Sequence, residues 1–230
     1  ALSSLIACAA AAQGTPLGAG DLLVISQKIV SKAEGRIVSL AEITPSPETV
    51  VMAEELGRDA RLIEVILRES RRVVRRDKGV LIVETNQGWI CANAGVDQSN
   101  VDADTACLLP EDSDRSAREL RDGLRALTGH DLGIIIADTF GRPWREGLTN
   151  VAIGVAGLEP LKSYLGEKDP AGHVLQATIL ALADELASAA EPIMGKLDRI
   201  PVVIIRGLTW PRGESGSRPL LRDPARDLFR

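Results

Sequence analysis

The sequence predicts an α+β fold, with mixed and antiparallel sheets and packed helices. Three observations carry that reading. Apolar residues make up 45% of the chain and aromatics only 3%, so a sizeable core is expected and it must be aliphatic. Strand-like and helix-like stretches are mingled without the regular alternation of βαβ units. Several strand-like runs sit in adjacent pairs with short links, which favours antiparallel pairing.

Residues 2–12 read as a helix ended by Gly14 and Pro16. A strand is expected over Asp21–Ser26 and a second, short one over Arg36–Leu40. The Pro-punctuated stretch "EITPSPET" is a loop, and Ser46 or Pro47 opens a helix to about Leu56. A further helix, Ala60 to Arg72, places Leu62, Ile63, Ile66 and Leu67 on one face. The basic run "RESRRVVRRDKG" is read as its solvated end, where cations suit the helix dipole. Val80–Val83 and Trp89–Ala92 form a hairpin-like pair.

After Pro110, acids open a helix whose stripe is Ala117, Leu120, Leu124 and Leu127, ended by Gly129. Ile134–Ala137 and Val151–Val155 are strands. Leu175 to about Ala190 reads as an Ala/Leu helix stopped by Pro192, with Asp184 on its solvated face. Pro201–Ile205 is the last strand, and the tail after Gly207 is loop.

The 230 residues suit one domain, residues 1–230, with room for two subdomains. A net charge of −5 argues against a general nucleic-acid binder but leaves room for a local basic pocket. Cys8, Cys91 and Cys107 are sparse, odd in number and free of CxxC spacing, as expected of reduced intracellular thiols. No run approaches the ~18–20 apolar residues of a membrane span. The apolar start lacks a basic n-region, so a cytoplasmic location is expected. With no initiator Met, the chain is expected to begin inside a longer sequence.

Three stretches carry chemistry. "NAGVDQSNVD" (Asn93–Asp102) gathers Asp97, Ser99, Asn100 and Asp102, oxygen donors that suit Mg²⁺ or Mn²⁺, although the same residues also make ordinary Asx turns. "IIIADTFGRPWREG" runs a buried strand straight into Asp138 and Thr139, then Arg142, a buried-looking Trp144 and Arg145. A strand end can hold a carboxylate toward a metal, and guanidinium forks grip phosphate or carboxylate. Internal ion pairing is the structural alternative there. "SQKIVSKAEGR" sets Gln27, Lys28, Ser31, Lys32 and Arg36 after a strand, without the P-loop pattern. His130 and His173 have no metal-like partner spacing and are left on the surface. Two acidic loops and a basic one point to metal-dependent phosphate chemistry.

Five stretches in order resemble the F420 γ-glutamyl ligase family: "GDLLVISQKIVSKAEGR", "NAGVDQSNV", "LLPEDSDRSARELRDGL", "IIIADTFGRPWREGLTNVAIGVAGL" and "PVVIIRG". They span about Gly20 to Gly207. The resemblance implies a GTP-dependent amide ligase that joins L-glutamate to the carboxylate of F420-0, and further glutamates through γ-carboxyls. It implies Mn²⁺ or Mg²⁺, help from K⁺, and an intertwined homodimer. By motif, Asp97, Asp138 and Thr139 become metal ligands, and Asn100 contacts GTP. Gln27, Lys28 and Lys32 line its phosphates, and Met194, Gly195 and Lys196 open a further nucleotide-binding stretch ending at Pro201. Arg142 and Arg145, assigned here to substrate anions, complete the catalytic group with Asp97 and Asp138. Two departures stand out. Lys196 takes a place where the family often has Gln as a metal contact, which bears on a second metal. A Gly-hydrophobic-Pro loop expected near the start is not in the chain. A small-molecule phosphotransferase and a non-catalytic nucleotide- or F420-binding module are the rival readings, and product analysis separates them.

Overall fold

The computed structural model of the chain describes residues 1–77 and 79–227. Lys78, in the basic run, and the last three residues of the tail lie outside them. The helices are α1 (Leu2–Ala12), α2 (Gln27–Ala33), α3 (Pro47–Leu56), α4 (Ala60–Arg68), α5 (Ser113–Thr128) and α6 (Leu182–Met194). The strands are β1 (Leu22–Ser26), β2 (Ile37–Ser39), β3 (Ser70–Asp77), β4 (Val80–Thr85), β5 (Ile90–Ala92), β6 (Thr105–Cys107), β7 (Gly133–Arg142), β8 (Arg145–Ala156), β9 (Lys162–Ser163), β10 (Ile179–Leu180) and β11 (Val202–Ile205). The α+β class therefore holds, with mixed and antiparallel sheets. The chain divides into two compact units, one of residues 1–25, 113–137 and 150–230, the other of residues 26–112 and 138–149. Among the described residues no helix is long and apolar enough to cross a membrane.

The first unit holds a sheet of order β11-β1-β7-β8. β11 and β1 are antiparallel, with Leu22 opposite Ile205 and Ile25 opposite Val202. Leu22–Ile25 and Ile134–Ile136 are all buried, as aliphatic strands covered on both faces must be. On one face Leu22, Val24 and Ile135 pack with Ala183, Leu186, Ala187 and Ala190 of α6. Side chains alternate along a strand, so Leu23 and Ile25 point the other way. The fully buried Asp21 carboxylate accepts two bonds from Arg206, each 2.7 Å, and one from Gly18 N–H at 2.8 Å. Arg206 holds the carboxyl below its ordinary range against the opposing effect of burial. This bidentate fork ties the start of β1 to the end of β11.

Two expectations fail in this unit. The Ala/Leu helix starts at Leu182, not Leu175, and runs through Pro192 to Met194. Residues 179–180 pair instead with residues 162–163. Pro192 sits in the last turn, where it removes one i→i−4 bond, to the Ser188 carbonyl, and Gly195 then ends the helix. Asp184 is also not on a solvated face. Its carboxylate accepts the Ala152 N–H at 2.9 Å, and burial raises its pKa, an effect that bond partly offsets.

In the second unit β3, β4 and β5 form an antiparallel sheet, and β2 pairs with β6. Leu81 and Val83 of β4 are fully buried while Val80 is exposed, the period of two expected for a strand with one buried face. They join Ile63 and Ile66 of α4, Ala53 of α3, and Ala94 and Val96. α4 stops at Arg68, so the basic run is not a helix end. It is β3, mostly exposed, with its arginines paired to acids: Arg72 to Glu84 at 2.8 Å and Arg76 to Glu55 at 2.9 Å. The β-branched pair Val73–Val74 and a neighbouring strand to bond to outweigh a charge pattern that resembles a helix end.

Candidate functional site

The expected site residues Gln27, Lys28, Lys32, Asp97, Asn100, Asp138, Thr139, Arg142 and Arg145 all belong to the second unit. Met194, Gly195 and Lys196 belong to the first.

α2 follows β1 with no intervening loop. Lys28 and Lys32 are four residues apart, so they share one face of the helix. The Lys28 ammonium lies 2.6 Å from Asp97 Oδ2, 2.5 Å from Ser99 Oγ and 3.1 Å from the Ser99 carbonyl. Lys32 donates to the Asn100 carbonyl at 2.6 Å. One helix face thus grips both halves of the acidic loop. Gln27 behaves differently. It is buried, and its Oε1 accepts the Ser31 hydroxyl at 2.8 Å.

The loop is held from both sides. Asp97 and Cys107 exchange backbone bonds of 3.0 and 2.8 Å, which fastens the loop to β6. The Asp97 carboxylate also caps its own turn, accepting Ser99 N–H at 2.7 Å and Ser99 hydroxyl at 2.8 Å. Burial alone would raise the Asp97 carboxyl, but Lys28 and the two Ser99 donors bring it below its ordinary range.

The backbone here is strained. Of six non-glycine residues with positive φ among the described residues, four lie on this one loop: Asn93, Ala94, Asn100 and Asp104. Each such residue costs roughly 1–2 kcal/mol in the left-handed region, less for Asn and Asp. Strain of this kind concentrates where function requires a particular side-chain direction. Asn93, Ala94 and Gly95 form a left-handed turn just ahead of Asp97. Sequence reading missed that turn; Asn-Ala-Gly was the available signal.

β7 and β8 form a long hairpin in place of two short strands and a loop. Burial is complete through Ala137 and fades at Asp138, Thr139 and Phe140. Asp138 therefore follows the last fully buried residue of β7. Asp138 also acts on Cys91, whose thiol is pushed up to about 12, first by burial and then by that negative charge. The turn is Pro143–Trp144, with proline presetting the first position and Trp144 at φ 56° in the second. Trp144 is 79% exposed, so the expectation of a buried tryptophan fails. In a two-residue turn at a hairpin tip most of the ring stands in solvent. Arg142 and Arg145 are exposed beside it, and Arg142 donates to the Glu146 carbonyl at 3.2 Å.

A recess of about 210 Å³ lies in the same unit, lined by Arg36, Glu69, Gln87, Ala94 and Glu111 among others. Arg36 bonds Glu69 at 2.7 Å across it, and Ala94 belongs to the left-handed turn.

In the first unit Met194 is a core residue, while Lys196 pairs with Glu191 at 2.7 Å. Asn150 holds the other Glu191 oxygen at 2.7 Å. Gly195 has a positive φ of 57°, and a Cβ there would press on the exposed Asp198 carboxylate, which would have to move.

Among the described residues no three His, Cys, Asp or Glu side chains form a group able to hold a metal. A Mg²⁺-type site needs no such group, because it takes one or two carboxylates, substrate phosphates and several waters. Asp97, Asp138, Ser99 and Thr139 offer carboxylate and hydroxyl oxygens, and on that chemistry they fit a hard cation.

A family model described as F420-0:Gamma-glutamyl ligase matches residues 1–207. The chain is 49% identical over 220 residues to the coenzyme F420:L-glutamate ligase of Methanothermobacter thermautotrophicus, covering 94% of this chain and 87% of that protein. To the protein of the same name from Methanopyrus kandleri it is 49% identical over 224 residues, or 95% and 89% of the two chains. To that of Methanocaldococcus jannaschii it is 43% identical over 216 residues, or 94% and 86%.

Proposed function

The chain belongs to the F420-0:gamma-glutamyl ligase family, and from that premise we propose that it couples GTP cleavage to amide formation between F420-0 and L-glutamate. A carboxylate is a poor acyl donor. Transfer of the GTP γ-phosphoryl group to the F420-0 carboxylate gives an acyl phosphate and GDP. The glutamate amine then attacks that carbonyl, loses a proton and expels inorganic phosphate. Addition of further glutamates repeats the cycle on a γ-carboxylate.

The observation that carries this reading is the grip of Lys28 and Lys32 on the Asp97–Asn100 loop. Two ammonium groups one turn apart suit the charge of a polyphosphate, and they stand beside a carboxylate suited to a cation. Asp97, with Asp138 and Thr139, would hold Mn²⁺ or Mg²⁺. Such an ion offsets charge between phosphate oxygens and an incoming carboxylate. Lys28, Lys32 and Asn100 hold the nucleotide, and Arg142 and Arg145 draw in the substrate's anionic groups. The stretch from Met194 through Gly195 and Lys196 to Pro201 is assigned to nucleotide binding, with K⁺ as a further activator. A homodimer is part of the reading. Leu165, Val174 and Ile179 on the β9–β10 arm are 48–50% exposed, apolar surface that suits a second copy.

The deciding experiment incubates the protein with F420-0, glutamate, GTP and Mn²⁺, and analyses products by mass spectrometry. The expected result is a glutamyl amide together with GDP and phosphate. A phosphorylated product that persists with glutamate present would make the protein a phosphotransferase. No GTP turnover at all would make it a binding module.

A further inference from the structure

We propose that Lys28 is a built-in competitor for the divalent cation, holding the oxygen ligands of Asp97 and Ser99 until a polyphosphate draws it away. The inference rests on the metal-and-nucleotide reading above. It is carried by the surroundings of the ammonium, which meets a carboxylate oxygen of Asp97 at 2.6 Å, the Ser99 hydroxyl at 2.5 Å and the Ser99 carbonyl at 3.1 Å. Carboxylate, hydroxyl and backbone carbonyl oxygens are the ligand types that hard cations take. An ammonium has three donors and no acceptor, so this nest uses all of them.

Two cations facing one carboxylate oxygen, as a metal at Asp97 Oδ2 beside the Lys28 ammonium would be, repel each other at close range. A divalent ion arriving at Asp97 must displace the ammonium or suffer its charge nearby. Lys32 does not compete in this way, because it touches the Asn100 backbone carbonyl and no carboxylate. A phosphate chain bound along this face of α2 offers Lys28 a new anionic partner. The four-carbon stem lets the ammonium swing over, and Asp97 is released for the cation. Metal and nucleotide then bind with positive coupling, and by linkage each raises the affinity of the other by the same factor. The protein would hold little divalent metal at this place without nucleotide, even at metal concentrations that load the complex.

The test measures Mn²⁺ binding to the whole chain by electron paramagnetic resonance of free Mn²⁺, with and without a non-hydrolysable GTP analogue. Lys28→Met and Lys28→Gln should each bind Mn²⁺ about tenfold more tightly than the parent without nucleotide, within the roughly 5–150-fold range of such couplings. In both variants the analogue should enhance Mn²⁺ binding far less than it does in the parent. Asp97→Asn should bind Mn²⁺ weakly under both conditions. Unchanged or weaker nucleotide-free binding in both Lys28 variants, with Asp97→Asn still defective, overturns the competition while leaving the metal site in place. Parent-like Mn²⁺ binding in Asp97→Asn overturns the metal assignment itself, and the competition falls with it.

Discussion

Arg58 Nη1 donates to the Asn93 side-chain oxygen at 2.6 Å. Asn93 opens the left-handed turn ahead of Asp97, so this bond ties the α3–α4 connection to the candidate site. Burial lowers the Arg58 pKa, which marks how far its guanidinium has been withdrawn from water.

Gly95 completes that turn at φ 68°, and a Cβ there would lie 2.7 Å from the Leu109 side chain. Gly95→Ala therefore meets both a backbone penalty and a steric one. It should destabilise the protein by about 1–3 kcal/mol and weaken Mn²⁺ binding by displacing Asp97. Adding Leu109→Ala relieves the contact but not the φ, and truncating this buried leucine costs about 2–5 kcal/mol of its own, so the double variant should not regain the parent's melting temperature. Full recovery of melting temperature in the double variant would show that the backbone conformation costs nothing.

Lys32 donates to the Asn100 backbone carbonyl on the acidic loop. Lys32→Ala should weaken GTP binding through loss of a charge-assisted contact, about 1.5–3 kcal/mol or roughly 10–150-fold in affinity. Calorimetry with unchanged GTP affinity would reduce Lys32 to a surface charge that steadies the loop.

The polar residue types of the candidate site stood out in the sequence; the way the fold gathers them did not. Asp97, Asp138 and the lysines stood out as residue types that a core does not need. Lys28 meets Ser99 across 71 positions of chain, however, and no local pattern encodes that meeting. The buried strands were legible because runs such as Ile134–Ile136 admit no other placement. β3 was not, because four arginines around two valines read equally as a solvated helix end, and only the neighbouring β4 decides. The start of α6 was hidden because Ala and Leu suit a helix anywhere along residues 175–190. Asp184 was misplaced by that same error, since its facing was counted from the wrong first turn.

Asp184 makes stability depend on pH in a definite direction. Burial raises its folded pKa above the ordinary 3.8, against the opposing Ala152 N–H bond. Between those two values the folded protein keeps a proton that the unfolded chain has released. This contribution is fully present below 3.8 and is lost as pH rises through the raised folded value. Asp184→Asn removes the titration and keeps an oxygen for Ala152. At neutral pH the variant should be at least as stable as the parent. On acidification the parent should gain on it. Parallel melting curves for the two proteins from acid to neutral pH would show that burying this carboxylate carries no cost.

Asp138 sits where the buried part of β7 ends, and two accounts of it make opposite predictions. If it holds a metal together with Asp97, Asp138→Asn keeps the shape, removes the charge that the cation requires, and should abolish ligation with the melting temperature nearly unchanged. Asp97→Asn should do the same, although loss of the Lys28 ion pair adds a small stability change, typically below about 1 kcal/mol for a half-exposed pair. The double variant should be little worse than either single one, as expected when two groups act as a unit. If instead Asp138 serves the hairpin, by pairing with Arg142 or Arg145, its loss should lower the melting temperature and spare ligation in the protein that stays folded. Melting temperature, Mn²⁺ affinity and amide product measured on the same three variants separate the two, and full ligase activity in Asp138→Asn would remove Asp138 from the metal site.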